Sequence, residues 1–378
     1  MGDPLTPADT AYVPLPPQRI LDTRDGFGYS SKLSPMQQIA VSVLGQGGIP
    51  SKGASAVVLN LTVTEPTRSG YLTAFPSGVP APTASNLNFV AGQTIPNLAV
   101  VKLGADGSIG LLNGSPGATH VVADVAGYFP LLPDSTPGAF TSLAPGRLLD
   151  SRTGSGQKLG PSATVDLTVV GMLGIPTTNV SAVVLNVTVT EPTRPGYITA
   201  YPTGGSPPLA SNLNFFPGQT VPTLVTVKVG ANGKVSFLHG SPGTSHLVVD
   251  AAGYFTTGSG ALHSEYVSLP PQRVVDTRVV PFPVQFSLSP LGLAGVPSEC
   301  VSAVVMNVTV TEPKGAGYLA VSAAGPIWGH VSNVNFTAGQ TVGNLVIAKL
   351  SSVGNVGFYP GNVTQYQVVV DIEGYFTC

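Results

Sequence analysis

Six charged positions recur in the same order three times along the chain. Each set opens with Arg-x-x-Asp-x-Arg, continues with a Glu before Pro and a Lys ending an apolar run, and closes with the Asp of Asp-x-x-Gly-Tyr-Phe. Charged groups within apolar segments are normally paired and hydrogen-bonded. We therefore predict that the opening and closing motifs pack together, with one arginine holding the final Asp in a bidentate pair. The predicted structural ion pairs involve Arg19, Asp22, Arg24 and Asp124, then Arg147, Asp150, Arg152 and Asp250, then Arg273, Asp276, Arg278 and Asp371.

The same carboxylates have a catalytic interpretation. Glycoside hydrolysis uses two acids that face each other across a cleft. Asp22 with Glu65 or Asp124 would supply such a pair in the first copy. A hydrolase of cell-wall material is therefore kept as the third hypothesis.

Histidine and motif spacing argue against an enzyme. His120 and His246 occupy matching positions, but the third copy has Gln367 there, so a Ser-His-Asp arrangement has no repeated basis. No Gly-x-Ser-x-Gly, His-Glu-x-x-His or Cys-x-x-Cys motif occurs. We predict a protein without catalytic residues, metal or cofactor.

Amide side chains form the better candidate binding site. They lie in the motifs Ser-Asn-x-Asn-Phe and Gly-Gln-Thr, beside a phenylalanine. Amides can hydrogen-bond sugar hydroxyls while an aromatic ring stacks on the apolar sugar face. The alternative is that they cap turns and bond the backbone, as asparagine often does. The predicted glycan-binding residues are Asn86, Asn88 and Gln93, then Asn212, Asn214 and Gln219, then Asn333, Asn335 and Gln340.

One stretch within each copy predicts the element that positions these groups. Ala-Val-Val-Leu/Met-Asn-Leu/Val-Thr-Val-Thr-Glu-Pro runs from Ala56 to Pro66, from Ala182 to Pro192 and from Ala303 to Pro313. Apolar residues alternate with a largely polar set, which predicts a half-buried β-strand. The proline ends the strand because it offers no N–H to the ladder.

The period of the repeat predicts whole domains. The opening arginines are 128 and then 126 residues apart, which is the size of a small domain rather than of a solenoid unit. Turn signals at short spacing predict an all-β protein of three tandem antiparallel jelly-roll-like β-sandwiches with almost no helix. A single threefold object is the alternative, but each copy is long enough for its own core. The predicted divisions are an extended segment 1–11, sandwich 12–129, Pro-rich linker 130–139, sandwich 140–255, Gly/Ser linker 256–263 and sandwich 264–378.

Composition limits the partners. Charged residues make up 9% of the chain and the net charge is −2, without a basic patch, so nucleic acid is excluded. No apolar run is long enough for a membrane span. A surface this neutral favours adhesion, or homo-oligomers and polymers of the chain itself.

The two cysteines and the polar composition predict secretion. Cys300 and Cys378 are expected to form a disulfide, with free thiols in a cytosolic protein as the alternative. No secretory leader is recognisable after Met1, so we expect the sequence to represent a mature secreted chain.

Together these motifs resemble a secreted bacterial repeat module that is frequent in actinobacteria. The resemblance rests on Arg-x-Leu-Asp-Thr-Arg, the Val-Val-Leu-Asn-Val-Thr-Val-Thr strand, Ser-Asn-Leu-Asn, Gly-Gln-Thr and Asp-x-x-Gly-Tyr-Phe, and covers Tyr12 to Phe376. That module often accompanies amidase-like or trypsin-like domains and is lectin-like in character. It implies a cell-surface role and transfers no catalytic residue. The third copy departs from it at Gly343, where proline is usual.

The sequence therefore predicts an extracellular, non-enzymatic array that adheres to, or builds, a cell-surface structure through glycan contacts. The second hypothesis is a self-assembling subunit of a filament or surface layer, joined through strand edges or neutral faces.

Overall fold

The computed structural model describes residues 12–130, 139–153, 157–257, 265–279, 285–323, 332–362 and 365–378. These residues form 24 strands, and their only helical element is a three-residue 3-10 turn, Ala231–Gly233. The prediction of an all-β protein with almost no helix is confirmed. The predicted segment 1–11 and most of the two predicted linkers lie outside the described residues.

Each copy contributes eight strands. The first copy contains β1 (Val13–Asp22), β2 (Gln38–Ser42), β3 (Ala54–Thr64), β4 (Gly70–Pro76), β5 (Leu87–Phe89), β6 (Ile95–Lys102), β7 (Ser108–Asn113) and β8 (His120–Pro130). The second contains β9 (Phe140–Asp150), β10 (Thr164–Thr168), β11 (Val180–Thr190), β12 (Gly196–Pro202), β13 (Leu213–Phe215), β14 (Val221–Lys228), β15 (Lys234–Gly240) and β16 (His246–Thr256). The third contains β17 (Tyr266–Asp276), β18 (Phe286–Leu288), β19 (Val301–Thr311), β20 (Gly317–Ala323), β21 (Val334–Phe336), β22 (Val342–Lys349), β23 (Val356–Gly361) and β24 (Gln367–Thr377).

The strands form six four-stranded antiparallel sheets, two in each copy. In the first copy the strand orders are β1-β8-β3-β6, called the inner sheet, and β2-β7-β4-β5, called the outer sheet. The other copies repeat both orders with their own strands. One apolar core lies between the two sheets of the first copy, where Leu59 and Leu61 of β3 cluster with Val41 of β2 and Leu72 of β4. The second and third copies contain equivalent cores.

A further core joins the three copies. It is lined by the opposite faces of the three inner sheets, for example by Val58, Val184 and Val305. Six aromatic rings lie within it, and the centroids of neighbouring rings are 4.1 to 6.4 Å apart. These rings belong to Tyr12, Phe129, Phe140, Phe255, Tyr266 and Phe376.

The predicted half-exposure of the central strand is wrong. Every residue of β3 is buried, because one face contacts the core of its own copy and the other lies against the other copies. Val57 and Leu59 face the core of their own copy, whereas Ala56 and Val58 face the shared core. The pattern therefore predicted the strand correctly, but the second face of the strand contacts the other copies rather than water.

The predicted disulfide is present. Cys300 and Cys378 are bonded and are 78 residues apart in sequence. The bond joins the residue before β19 to the residue after β24. It therefore ties the start of β19 to the residue that follows β24.

Candidate ligand-binding clefts

The repeated arginines hold the repeated aspartates together at the junction of the first and last strands of each inner sheet. Arg19 donates from Nε and Nη2 to the two carboxylate oxygens of Asp124, at 2.9 and 3.3 Å. Its Nη1 donates to Asp22 at 2.8 Å. Arg24 binds the same Asp22 through Nε and Nη2, at 2.9 and 2.6 Å. The equivalent groups are Arg147, Asp150, Arg152 and Asp250 in the second copy, and Arg273, Asp276, Arg278 and Asp371 in the third.

The pKa values of the two aspartates in each group shift in opposite directions. The hydrogen bond from Arg24 holds the pKa of Asp22 below its ordinary value. Burial raises the pKa of Asp124, although Arg19 opposes this effect. The same directions apply to the equivalent aspartates, so each copy has one carboxyl group with a lowered pKa and one with a raised pKa.

The first predicted amide of each copy is used inside the fold. Asn86 is buried, and its Oδ1 accepts a hydrogen bond from the backbone N–H of Ala74 in β4 at 2.6 Å. This contact fixes the segment before β5 against the outer sheet. Asn212 and Asn333 make the equivalent bonds to Ala200 and Val321.

The predicted glutamines close turns. The Oε1 of Gln93 accepts from the backbone N–H of Val90 at 3.0 Å. Gln219 and Gln340 make the same contact with Phe216 and Thr337. Six of the nine predicted binding residues therefore satisfy backbone donors, as the alternative interpretation of the sequence expected.

The remaining three amides have a different environment. Asn88, Asn214 and Asn335 are half-buried, and each donates from Nδ2 to the serine hydroxyl three residues earlier. Asn88 and Asn335 line two clefts that open between different copies of the repeat.

The first of these clefts lies between the first and third copies. Its cavity volume is about 240 Å³. We call it the 1/3 cleft. It is lined by Tyr71, Thr83, Ala84, Ser85 and Asn88 from the first copy, and by Arg273, Arg278, Thr309, Thr311, Thr341 and Val369 from the third.

The second cleft, here the 3/2 cleft, lies between the third and second copies and has a cavity volume of about 430 Å³. Nine of its lining residues match residues of the 1/3 cleft by repeat position, and Asp150, Thr153 and Asn362 line only this cleft. Tyr318, Ser332 and Asn335 replace Tyr71, Ser85 and Asn88, while Arg147, Arg152, Thr188, Thr190, Thr220 and Val248 replace the residues of the other wall.

Each cleft is positioned by an asparagine at the middle of the central strand. Asn186 of β11 donates to the backbone carbonyl of Ser332 at 2.7 Å, and Asn307 of β19 donates to that of Ser85. Asn60 of β3 makes the same bond to Ser211 at 2.7 Å, across the junction of the first and second copies. The three bonds form a closed cycle, so we expect an equivalent 2/1 cleft at this junction. Its walls would be Tyr197, Ser211 and Asn214 on one side, and Arg19, Arg24, Thr62, Thr64 and Thr94 on the other.

The face of the central strand that points away from its own core becomes more polar along the strand. In β19, Ala303 and Val305 contact the shared core, Asn307 bonds the neighbouring copy, and Thr309 and Thr311 line the cleft. The polarity of the motif thus increases from the shared core towards the cleft. This gradient explains why one strand carries the sequence Ala-x-Val-x-Asn-x-Thr-x-Thr on a single face.

A tyrosine ring forms part of the opposite wall. Tyr71 lies against Gly114, the residue that follows β7 of the same outer sheet, where an added Cβ would be 2.2 Å from ring atoms. Glycine is therefore required at this position, because any side chain would displace the ring. The remaining surface of the ring lines the 1/3 cleft. The same pairing recurs as Tyr197 with Gly240 and Tyr318 with Gly361.

Sequence reasoning did not assign these tyrosines or the threonines to the site. A signal existed, because Gly-Tyr recurs at the start of β4, β12 and β20, and Thr-Val-Thr recurs at the end of each central strand. The pattern of one copy does not show which residues of another copy lie opposite.

Within the described residues, no group of three His, Cys, Asp or Glu side chains could hold a metal ion. No helix in the described part of the chain is long and apolar enough to span a membrane.

No protein-family model matches the sequence, and no curated protein matches it. Among solved structures, an archaeal virus protein described by its triple jelly roll fold and turret assembly is 10% identical, with a TM-score of 0.19, covering 100% of this chain and 98% of that one. The STIV MCP is 7% identical, with a TM-score of 0.17, covering 63% of this chain and 95% of its own. Similarity at this level supports no conclusion about this protein.

Proposed function

We propose that this chain is a secreted, non-catalytic surface protein built from three jelly-roll-like sandwiches, and that it adheres to glycans through the clefts between its copies. The sandwich assignment is supported by two four-stranded sheets over one core in each copy, with the recurring orders β1-β8-β3-β6 and β2-β7-β4-β5. The resemblance to secreted bacterial surface repeats supports the location.

The observation that carries the proposal is the match between the two clefts. Different copies bring together the same tyrosine, asparagine, arginines and threonines in both places. A structural junction needs shape complementarity, whereas these junctions retain open cavities lined by hydrogen-bonding groups. An aromatic surface beside amide and hydroxyl groups suits a sugar ring.

We propose a non-catalytic function because the repeated carboxylates are bound in ion pairs with arginines. In the first copy, Asp22 and Asp124 are both bound by Arg19, and Asp22 is also bound by Arg24. Each carboxylate thus serves the ion-pair group that joins the first and last strands of the inner sheet.

Several weak sites on one chain suit adhesion. Glycans on a cell surface are repetitive, so simultaneous engagement of two or three clefts multiplies the apparent affinity without tight binding at any one site. The shared core supports this use because it fixes the clefts relative to one another.

The test is binding of the purified full chain to a panel of immobilised polysaccharides, followed by calorimetry with oligosaccharides of the best ligand. The triple variant Tyr71→Ala, Tyr197→Ala and Tyr318→Ala removes the ring from every expected cleft. Loss of one stacked ring from each site costs roughly 0.5–1.5 kcal/mol, and avidity enlarges the effect on the surface.

The matched control is Gln38→Ala, an exposed amide on an outer-sheet strand away from both clefts. It should bind as the unaltered chain does, and thermal unfolding should show that all variants are folded. If the triple variant retains full binding, the clefts are not the site. If no glycan binds, the proposed function is wrong.

Self-assembly into a filament or surface layer is the second candidate. Met172 and Leu173 are adjacent in the second copy and are 45% and 46% exposed, and Leu209 is 98% exposed. Exposed apolar groups can mark contacts between chains. Light scattering without ligand distinguishes the candidates: a monomer near 38.4 kDa favours adhesion, and a concentration-dependent polymer favours assembly.

A further inference from the structure

We propose that the clefts select uncharged glycans, in which a pyranose ring presents hydroxyl groups and an apolar face, and that they discriminate against acidic glycans. This inference rests on the proposed function and adds the chemical class of the ligand.

The first support is the charge balance of the cleft walls. Among the described residues, Arg273 and Arg278 are the only charged ones that line the 1/3 cleft. Arg273 binds Asp371 at 2.9 Å, and Arg278 binds Asp276 at 2.6 Å, so both positive charges are matched within the third copy. In the 3/2 cleft, Arg147 and Arg152 are matched by Asp250 and Asp150, and Asp150 itself lines that cleft.

An acidic ligand would meet these carboxylates. Arg278 uses Nε and Nη2 to hold both oxygens of Asp276, which is the two-point geometry that a ligand carboxylate or sulfate would need. The ligand would have to displace Asp276 or place a second negative charge beside it. Like charges at such a distance cost several kcal/mol in a partly buried site.

The second support is the neutral hydrogen-bonding surface that remains. In the 1/3 cleft, the hydroxyl groups of Thr311 and Thr341 are 2.7 Å apart and bond each other. Thr190 with Thr220, and Thr64 with Thr94, repeat this pair at 2.7 Å. Because only one hydroxyl of a pair donates to the other, each pair keeps one O–H for an acceptor on the ligand.

The third support is the tyrosine on the opposite wall. Tyr71 lies flat enough on Gly114 for a Cβ to overlap the ring, so its ring is held by the sheet and not by the ligand. A ring that is already positioned loses little entropy on stacking against a sugar. Together, a held ring on one wall and paired hydroxyls on the other match a pyranose, which has an apolar face and a hydroxylated edge.

The experiment compares matched neutral and acidic oligosaccharides on the full chain by calorimetry. The pairs are mannohexaose with hexamannuronate, galactohexaose with hexagalacturonate, and methyl-esterified with free hexagalacturonate. At least one neutral member should bind, with its acidic partner weaker by about tenfold or more. Neutral binding should change by less than about twofold between 50 and 500 mM NaCl, because screening acts on charged ligands.

A charge variant sharpens the test. Asp22→Asn, Asp150→Asn and Asp276→Asn remove one negative charge from each expected cleft and keep the side-chain shape. In variants that thermal unfolding shows to be folded, these changes should raise the ratio of acidic to neutral binding by about fivefold or more, and an unchanged ratio would contradict the charge selectivity. The control is Asp166→Asn, on β10 of an outer sheet, and it should not alter the binding of the acidic or the neutral member.

The outcomes separate the two proposals. Tighter binding of the acidic members by the unaltered chain would overturn the charge selectivity while leaving glycan adhesion standing. Binding of neither class would overturn glycan adhesion itself.

Discussion

At the scale of single residues, Glu373 distinguishes the third copy. The corresponding residues of the other copies are Ala126 and Ala252, both in the shared core. Glu373 is buried, its Oε1 accepts from Asn86 Nδ2 at 2.6 Å, and its Oε2 has no partner among the described residues. Burial, followed by the negative charge of Asp371, raises its pKa to about 8.

This environment predicts a stability that depends on pH. The folded protein holds the Glu373 proton up to about pH 8, whereas the unfolded chain releases it near pH 4.5. Stability from this residue is therefore greatest below pH 4.5 and is lost as the pH rises towards 8. Glu373→Ala should raise the free energy of unfolding by about 2 kcal/mol at pH 8.5 and reduce its slope between pH 5 and 8.

Urea unfolding at several pH values measures the effect. Glu299→Ala, at an exposed position, is the control and should leave the slope unchanged. An unchanged slope in the Glu373 variant would show that its carboxyl group ionises normally in the folded state.

Residue types predicted the kinds of groups in the clefts better than they predicted which residues line them. The spacing of arginine and aspartate predicted the ion-pair partners, because both motifs lie within the same copy. Asn86 and Asn88 look equivalent in sequence, yet Asn86 is buried with bonds to Ala74 and Glu373, whereas Asn88 lines a cleft completed by the third copy. The difference depends on a neighbour more than 180 residues away, which local spacing cannot reveal.

At the scale of elements, Arg147 joins the edge strand β9 to β16. It binds Asp250 at 2.8 Å through Nε and Asp150 at 2.8 Å through Nη1. Asp250 is buried, so removal of the guanidinium would leave a buried carboxylate without its cation. Arg147→Ala should therefore destabilise the protein by about 3–5 kcal/mol at pH 7.

The loss should be smaller at pH 4. Burial raises the pKa of Asp250, and removal of Arg147 raises it further, so the carboxyl group becomes protonated and its burial costs less. Denaturant unfolding at the two pH values measures the difference. Lys228→Ala, at an exposed strand end, is the control. An equal loss at both pH values would mean that packing of the arginine, rather than its charge, stabilises the strand.

At the scale of elements, the disulfide also predicts a measurable contribution to stability. It closes a loop of 78 residues around β19 to β24. The double variant Cys300→Ser and Cys378→Ser should lose about 4–5 kcal/mol of stability, because its unfolded chain regains the entropy of the open loop. Calorimetric unfolding should show the same loss after reduction of the unaltered chain. A loss from reduction but not from substitution would contradict this explanation.

At the scale of the whole molecule, the copies share a core that no copy completes alone. Strand type and repeat length were predictable, since they depend on local pattern. The shared core was not, because the apolar half of the second strand face is only two residues long in β3, Ala56 and Val58. Six aromatic rings contributed by three copies complete it.

The cyclic contacts predict how an isolated copy behaves. Residues 139–257 contain both halves of a junction: Asn186, which donates to Ser332 of the next copy, and Ser211, which accepts from Asn60 of the previous one. Asn186 of one molecule could therefore bond Ser211 of another, and three molecules would close the same cycle. Burial of Phe140 and Phe255 in a shared core would drive this association.

We therefore expect the isolated second copy to form a homotrimer, measured by light scattering as three times its monomer mass. Phe255→Ser should produce monomers, because it removes a ring from the interface of each molecule, whereas Gln157→Ser, at an exposed position, should leave the trimer intact. A stable monomer of the unaltered copy, folded by circular dichroism, would contradict the expectation. It would mean that the covalent connections between copies, rather than the shared core, hold the clefts in place.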